Sequence, residues 1–243
     1  MNHYMLKYSV LIFVTALYTQ LSDQSFPKSL DNKLIGDIPQ FKTEQLNIDQ
    51  LYFEDMLDKE NGLPYRFGYS FPVNIDFFDL ASCEILNNGD KICRLQLESK
   101  DAYSLNMIFN SFFLSEGSEL FIYNPGYSDI IGAFTNDNNK SYNRFSTSPI
   151  PGDIAILEYY EPHTSHESII NISNIINGYK NVFRGYEDSE ECNNNVNCPE
   201  FQSWNDEISS VVLTLTDGGT RLCSGSMINN VNQDLELYFL TSE

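Results

Sequence analysis

Residues 209–228 read S-S-V-V-L-T-L-T-D-G-G-T-R-L-C-S-G-S-M-I. Ser210–Thr216 is an apolar, β-branched run of strand length, and Leu222–Ile228 is a second such run. The D-G-G sequence at 217–219 is a turn signal, and so short a connection predicts an antiparallel hairpin. A third strand is predicted over Leu235–Thr241. This part of the chain therefore predicts antiparallel β-structure.

Residues 62–163 form a second β-rich region. Short apolar or alternating runs recur about every ten residues with turn clusters between them, as is typical of antiparallel sandwiches. The clearest strand is Asp153–Glu161, D-I-A-I-L-E-Y-Y-E, while Leu105–Leu114 is compatible with a strand or a buried helix. Strands and helices do not alternate, so a parallel sheet is not expected. The predicted fold class is all-β, with an antiparallel β-sandwich as its largest part.

Composition limits the classes of function. The 243 residues are 42% hydrophobic and 14% aromatic, which is enough for a sizeable apolar core. The formal net charge of −20 argues against nucleic acid as a partner, because phosphate binding needs clusters of lysine and arginine. The sequence contains no phosphate loop or dinucleotide fingerprint, and neither a cofactor nor a metal is expected. The acidic balance suits a secreted protein.

The amino terminus has the features of a secretion signal. Lys7 precedes the apolar run Tyr8–Leu17, which at about ten residues is far shorter than the ~20 needed to span a bilayer. We predict a signal peptide over 1–22, secretion and no stable membrane insertion; an uncleaved anchor is the alternative. Residues 23–61 are polar and irregular, which predicts a linker or leader with at most one short helix.

Two of the cysteines have a local pairing signal. Five cysteines in an exported chain are expected to form disulfides, and the odd number leaves one over. Cys83 and Cys93 flank the N-N-G sequence at 87–89. A three-residue loop of this kind, a type I turn followed by a left-handed glycine, sets residue 86 opposite residue 90. The two cysteines then lie directly opposite each other, which predicts a cross-strand disulfide.

Two stretches near the end of the printed sequence carry a resemblance. C-S-G-S-M-I (223–228), followed by Y-F-L-T-S-E (238–243), resembles the strand pair that precedes the catalytic histidine in trypsin-like serine proteases. The upstream C-N-N-N-V-N-C-P (192–199) and Trp204 are similar, more narrowly, to bacterial lysyl endopeptidases. The ordinary alternative is a β-hairpin with a buried cysteine.

The resemblance implies a fold and an activity. Residues 188–243 would be the truncated start of a chymotrypsin-like β-barrel, with the catalytic histidine directly after Glu243. No catalytic residue is therefore expected within the chain, which is predicted to be inactive alone. Proteases of this kind cut peptide bonds through an acyl-enzyme, so the partners of the full-length enzyme are protein or peptide substrates. Cleavage after lysine is implied by the resemblance alone.

The resemblance also bears on the remaining cysteines. In the similar proteases, the cysteine at the position of Cys223 bonds to one just after the histidine. The cysteines at the positions of Cys192 and Cys198 bond to partners further along. All three are then expected to pair beyond Glu243. The alternative is a local Cys192–Cys198 loop with Cys223 unpaired and buried.

Three stretches of the β-rich middle carry a second resemblance. They are L-F-I-Y-N-P-G (120–126), G-A-F-T-x-x-N-N (132–139) and P-I-P-G-D-x-A-I-L-E-Y-Y-E-P (149–162). In this order they resemble the β-rich propeptide of secreted bacterial proteases of the same branch. The resemblance implies that 62–163 is a pro-domain that contacts its own protease domain, helps it fold and restrains it until cleavage. The alternative is a secreted, non-catalytic β-sandwich that binds other molecules or cell surfaces.

Residues 164–187 are predicted to link the two regions. Ser168–Asn177 alternates loosely and is a candidate for a last strand. G-Y-K-N-V-F-R-G (178–185) precedes an acidic run, and exposed linkers are preferred sites of proteolysis. We predict maturation by cleavage at Arg184, with Lys180 as the secondary site.

Two other groups of polar residues are candidate sites. His163 and His166 lie in a polar segment without a third ligand nearby, so solvated linker is favoured over a metal site. Asp153 and Glu158 are an odd number of residues apart on one strand and face opposite sides of it. Paired acid and base chemistry is therefore not expected there.

Overall fold

In a computed structural model of the chain, the described residues are 25–32, 34–165, 167–183, 211–216, 218–228 and 238–241. They contain fourteen β-strands and two α-helices, so the prediction of an all-β protein is confirmed. Within these ranges no helix has the length and apolar character needed to cross a membrane. The predicted signal peptide (1–22), His166, Arg184, Cys192 and Cys198 lie outside the described residues.

The strands form three sheets. In chain order they are β1 (Gln40–Lys42), β2 (Tyr69–Asp76), β3 (Ser82–Ile85), β4 (Lys91–Glu98), β5 (Ser104–Phe113), β6 (Glu119–Tyr123), β7 (Ile130–Phe134), β8 (Phe145–Ser146), β9 (Ile150–Pro151), β10 (Ile154–Glu161), β11 (Ile169–Gly178), β12 (Val211–Thr216), β13 (Arg221–Ile228) and β14 (Tyr238–Thr241). The helices are α1 (Ile48–Glu60) and α2 (Phe77–Leu80).

The six-stranded sheet runs β1-β4-β10-β6-β7 with β3 beside β4, and the five-stranded sheet runs β2-β11-β5-β8 with β9 beside β5. The third sheet is β12-β13-β14. The β1–β4 pair is parallel, contrary to expectation, and the other pairs are antiparallel.

The two larger sheets pack face to face around one apolar core. Alternation along each strand puts every second side chain on the core face. The fully buried side chains of this core include Leu95, Leu97, Leu105, Met107, Phe109, Leu157, Tyr159, Ile172 and Ile175. They come from strands of both sheets, and this arrangement is the predicted β-sandwich.

Strand β10 lies at the centre of the six-stranded sheet, between β4 and β6. Its inner face joins the main core, and its outer face belongs to a second apolar cluster that includes Ile156 and Ile38. A strand covered on both faces is apolar almost throughout, which explains why this stretch was the clearest strand in the sequence. The exception is Glu158, which is fully buried.

The β3–β4 hairpin has the predicted register. Cys83 lies opposite Cys93, and Leu86 N donates a hydrogen bond to the Asp90 carbonyl at 2.7 Å. Gly89 in the turn has a φ of +89°, the left-handed conformation expected there. The two cysteines form a disulfide, which ties the edge strand β3 to the body of the sheet.

The segment 25–39 crosses the outer face of the six-stranded sheet. Its backbone is tied to a buried carboxylate, because Ser29 N donates to Glu158 Oε1 at 3.0 Å. Strand β1 then extends the edge of the same sheet. Residues 25–42 thus belong to the sandwich rather than to the linker predicted over 23–61, because the sheet satisfies their backbone hydrogen bonds.

Strand β11 changes the predicted boundary between sandwich and linker. The sequence predicts a linker over 164–187, whereas β11 lies within that range and pairs with both β2 and β5. Register shifts beside Ile172 interrupt the two-residue period by which a strand is recognised. The sandwich therefore extends at least to Gly178.

The carboxyl-terminal strands form the predicted hairpin. β12 pairs with β13, and β14 pairs with the other side of β13, within the part of the chain that is described. Cys223 lies on β13, with its Sγ 3.5 Å from Thr241 Oγ1. Its side chain is half-buried, and its pairing with a cysteine beyond Glu243 stays a prediction.

Candidate functional site

A cluster of charged side chains lies where α1, the end of β11 and the β12–β13 hairpin meet. We call it the charged junction and define it by Asp55, Asp58, Arg66, Lys180 and Arg221. These side chains are between 11% and 23% exposed. Three cations and two carboxylates share the site, so each carboxylate is held by more than one cation.

Helix α1 presents both carboxylates of the junction on one face. Asp55 and Asp58 are three residues apart, and Leu51 lies one turn before Asp55, so the three side chains point in one direction. Of the apolar residues of α1, Leu51 is the one that is buried. The face that a helix usually buries with apolar side chains is therefore mainly charged here. This explains why the apolar spacing in this stretch predicted no more than a short helix.

Asp55 is the centre of the junction. Its Oδ1 lies 2.7 Å from Arg66 Nε, and its Oδ2 lies 2.6 Å from Lys180 Nζ. The Tyr179 hydroxyl also donates to this carboxylate, at 2.8 Å from Oδ2. Burial by itself raises the pKa of the Asp55 carboxyl, but the hydrogen bonds from Lys180 and Arg66 outweigh it, and the pKa is lowered. Asp55 is therefore ionised at neutral pH.

Lys180 is enclosed by aromatic rings as well as by Asp55. The Tyr65 ring centre lies 4.6 Å from its Nζ, and the rings of Tyr179 and Tyr52 lie at 5.5 and 5.8 Å. Aromatic faces around an ammonium group stabilise it, more so when water is excluded. The structure thus places this predicted cleavage residue in a cage, with 14% of its side chain exposed, and not in an exposed linker. Cleavage at Lys180 stays a prediction.

Asp58 connects the helix to the carboxyl-terminal hairpin. Its Oδ2 lies 2.6 Å from Arg221 Nη2, at the start of β13. Arg221 Nη1 also donates to the Pro64 carbonyl at 2.7 Å. Arg66 Nε lies 3.9 Å from the same Asp58 oxygen. A continuous chain of ion pairs therefore runs from the end of β11 through α1 to the hairpin.

Backbone hydrogen bonds join the same two parts of the molecule. Phe67 N donates to the Thr220 carbonyl at 2.9 Å, and Leu222 N donates to the Tyr65 carbonyl at 2.9 Å. An isolated antiparallel bridge lies between these two bonds. Segment 65–68 is thereby paired, over a few residues, with the beginning of β13.

The tip of the hairpin lies against the second sheet. A Cβ on Gly219, whose φ is +81°, would lie 2.9 Å from Asn106 Nδ2 and 3.7 Å from Ile176. Both Asn106 and Ile176 are buried. The absence of a side chain at Gly219 is what allows this close approach.

A cleft of about 910 Å³ opens beside the junction. Its lining combines junction side chains with partly exposed aromatic and apolar ones, among them Tyr52, Met56, Leu63, Tyr65 and Tyr103. Each ionised group of the junction is paired with an opposite charge. These pairs hold helix α1, the end of β11 and the start of β13 together. Within the described ranges, no group of His, Cys, Asp or Glu is arranged to hold a metal ion.

The structure does not bring the predicted site residues together. Lys180 lies in the junction, Cys83 and Cys93 lie in the β3–β4 hairpin, and Cys223 lies on β13. Sequence reasoning missed Asp55 and the other acidic and basic partners in the junction. One feature of the sequence could have indicated the junction. Two aspartates lie three residues apart in a helical stretch that lacks a continuous apolar stripe.

His163 is hydrogen-bonded to the sandwich, while 62% of its side chain stays exposed to solvent. The Asp90 carboxylate accepts from His163 N at 3.0 Å and lies 3.2 Å from His163 Nδ1. It also accepts from the Tyr160 hydroxyl and from Asn88 Nδ2, both at 2.6 Å. Hydrogen bonds from Tyr160 and from the His163 backbone lower the pKa of Asp90 to about 2. Asp90 therefore holds the β3–β4 turn to the end of β10.

The contribution of Asp90 to stability is expected to depend on pH. Its pKa in the folded chain is about 2 and its ordinary value is 3.8, so the contribution is present above about pH 4 and is lost as the pH falls toward 2. We expect the difference in unfolding free energy between the unaltered chain and Asp90→Asn to shrink over that window. Denaturant titrations at stepped pH measure it, with the exposed Asp153→Asn as the control. A difference that stays constant over the window would contradict the assignment.

A comparison with known protein families bears on the carboxyl-terminal part of the chain. Residues 186–243 match the model of the lysyl endopeptidase C-terminal domain. The match contains the whole β12–β13–β14 sheet, including Arg221 of the junction and Cys223. The segment that the hairpin belongs to is thus similar to a domain of lysyl endopeptidases.

Proposed function

We propose that this chain is part of the precursor of a secreted serine endopeptidase that hydrolyses peptide bonds after lysine. The observation that carries the proposal is the match of residues 186–243 to a lysyl endopeptidase domain. The match includes the C-S-G-S-M-I and Y-F-L-T-S-E stretches that resemble the strands before a catalytic histidine. In this proposal the histidine follows Glu243, and the chain itself contributes no member of the catalytic triad.

Residues 188–243 are proposed to supply the first strands of the protease barrel. The geometry of β13 and β14 is compatible with this role. A Cβ on Gly225 would lie 2.6 Å from the Leu240 carbonyl, so glycine permits the two strands to approach closely. Cys223 lies beside Thr241, near the point where its proposed partner cysteine would follow. A disulfide there would fasten the loop that bears the histidine.

The sandwich is proposed to be the pro-domain. Its supporting observation is the contact with the hairpin, made by the junction ion pairs and by the backbone bonds of segment 65–68. A barrel whose strands pair over long sequence distances folds slowly, and a rigid partner that holds its first hairpin reduces the entropy cost of closure. The same contacts would restrain the protease domain until the linker is cut. Arg184 remains the proposed site of that cut.

To test the proposal, the coding sequence is determined past the codon for Glu243, and the complete open reading frame is then expressed. We expect His-Cys directly after Glu243, with an Asp and a G-D-S-G-like sequence further on. The secreted product is expected to hydrolyse lysyl peptide substrates and to lose that activity when an organophosphorus reagent labels its serine. Arg184→Gln is the matched variant, and we expect it to accumulate as an uncleaved precursor.

Two results would contradict the proposal. One is a frame that ends without supplying a histidine, an aspartate and a serine in this pattern. The other is a complete product that carries them and yet cleaves no lysyl, arginyl or unbiased peptide substrate. Normal processing of Arg184→Gln would contradict the assignment of the cleavage site to Arg184. It would not bear on the proposed protease activity.

A further inference from the structure

Lys180 lies two residues after the end of β11, and Asn181 follows it. Its side chain is held by Asp55 and three tyrosine rings, and its backbone N–H donates to the Phe67 carbonyl at 3.1 Å. We propose that the Lys180–Asn181 peptide bond is a latent cleavage site, protected by this cage and exposed when the β12–β13 hairpin leaves the junction. The inference rests on the proposed function for the identity of the protease that uses the site.

The folded chain does not present this bond to a protease. Endoproteases bind a substrate as an extended strand and take the side chain before the scissile bond into a pocket. Here Gly178 is paired with Ser104 in the second sheet, and Tyr179 is 2% exposed. The Lys180 side chain is held by its ion pair with Asp55 and cannot at the same time enter the pocket of a protease. Cleavage therefore requires local opening of this stretch, and its rate follows the population of the open form.

The cage is coupled to the hairpin through Tyr65. The Tyr65 ring lies 4.6 Å from Lys180 Nζ, while the carbonyl of the same residue accepts a hydrogen bond from Leu222 N at 2.9 Å. Departure of the hairpin removes that bond, and it also removes Arg221 from the chain of ion pairs. Segment 65–68 then loses its backbone bonds to the hairpin and keeps the Arg66–Asp55 ion pair and the bond from Lys180 N to the Phe67 carbonyl. Because fewer contacts then hold Tyr65 over Lys180, the cage is expected to open more often after loss of the hairpin.

The chemical step is a hydrolysis. The Lys180 carbonyl carbon gains a hydroxyl from water as the C–N bond breaks, and the Asn181 nitrogen leaves as an amine that takes the other proton of the water. The new carboxyl group then ionises, and its proton converts the amine to an ammonium group. A lysine before the bond suits a protease that recognises a cationic side chain. The proposal implies an order in which a cut in the linker comes first, the hairpin leaves second and Lys180 is cut last. The last cut would trim the sandwich only after it has lost its partner.

The test is limited proteolysis of the whole 243-residue chain by an added lysine-specific endoprotease, followed by mass spectrometry. Lys140, which is exposed, serves as the internal reference. We expect the Lys180–Asn181 bond to be cut about tenfold more slowly than the bond after Lys140, because opening must precede cleavage. The protease is added, so the result does not depend on any activity of the chain. Failure here is thus separate from failure of the proposed function.

Two variants, each with a control, test which contacts protect the Lys180–Asn181 bond from cleavage. Tyr65→Ala removes the ring and is expected to raise the cutting rate at Lys180, relative to Lys140, about threefold. Tyr65→Phe keeps the ring and is expected to leave the ratio unchanged. Arg221→Ala removes an ion pair of the hairpin and is expected to raise the ratio about tenfold. Ser224→Ala, at an exposed position of the same strand, is its control.

Equal cutting at Lys180 and Lys140 in the unaltered chain would overturn the proposal. It would also be overturned if the ratio were unchanged in Tyr65→Ala or in a folded Arg221→Ala variant. A variant that unfolds as a whole is recognised because cutting rises at both lysines and its cooperative melt is lost. Tyr65 is 55% exposed, so Tyr65→Ala is expected to fold. It therefore tests the protection of the Lys180–Asn181 bond even if Arg221→Ala does not fold.

Discussion

Replacing Asp55 by asparagine is expected to lower the free energy of unfolding by about 3 kcal/mol, because it breaks two largely buried ion pairs and removes the carboxylate that holds Lys180. Asp55 is 12% exposed and accepts hydrogen bonds from Lys180, Arg66 and Tyr179. Asparagine keeps the shape but supplies one acceptor oxygen and no charge. Urea titration followed by circular dichroism measures the loss.

Asp49→Asn is the matched control on the same helix. Asp49 is exposed in the first turn of α1, where it contributes through the helix dipole, so its replacement is expected to cost less than about 1 kcal/mol. Equal losses of unfolding free energy in the two variants would mean that Asp55 contributes no more to stability than the exposed Asp49 does. The Asp55 prediction would then be wrong, and α1 would be held mainly by Leu51 and its neighbours.

Replacing Phe109 by alanine is expected to cost about 3–5 kcal/mol of unfolding free energy, since it removes a large buried ring and leaves a cavity. Phe109 is fully buried on β5, and its ring lies 5.4 Å from that of Phe112 and 6.0 Å from that of Phe145. The surrounding side chains come from both sheets and cannot close the space without moving strands. The same titration measures the effect.

Phe113→Ala supplies the control on the same strand. Phe113 is 42% exposed at the end of β5, so its removal is expected to cost about 1 kcal/mol, in proportion to the smaller apolar area that it buries. A cost for Phe109→Ala that does not exceed that of Phe113→Ala would show that the two sheets are not packed as described.

The β3–β4 hairpin and the strand β10 were predictable because their signals are local. In the hairpin, the N-N-G turn alone sets Cys83 opposite Cys93, and the structure has both that register and the disulfide. In β10, six of the eight residues are apolar or aromatic because both faces of the strand are covered. Such patterns depend on the immediate neighbours in the chain, and the sequence displays them.

Strand β11 and helix α1 were not predictable in the same way. β11 pairs with residues 69–76 and 104–113, and its register shifts interrupt the alternation that identifies a strand. Helix α1 turns aspartates toward the sandwich, so its inward face has no apolar stripe. Lys180 was assigned to an exposed linker because nothing near it in sequence indicates Asp55, which lies more than a hundred residues away.

The sequence by itself determined the all-β class, the Cys83–Cys93 bond, the carboxyl-terminal hairpin and its relation to a protease domain. These follow from periodicity, turn chemistry and motif order, which are properties of short stretches. Tertiary structure alone decided the extent of the sandwich, the place of residues 25–42 on its surface and the charged junction at Lys180. Those features arise from pairing between distant segments, where burial makes each charge dependent on a partner that no local pattern specifies.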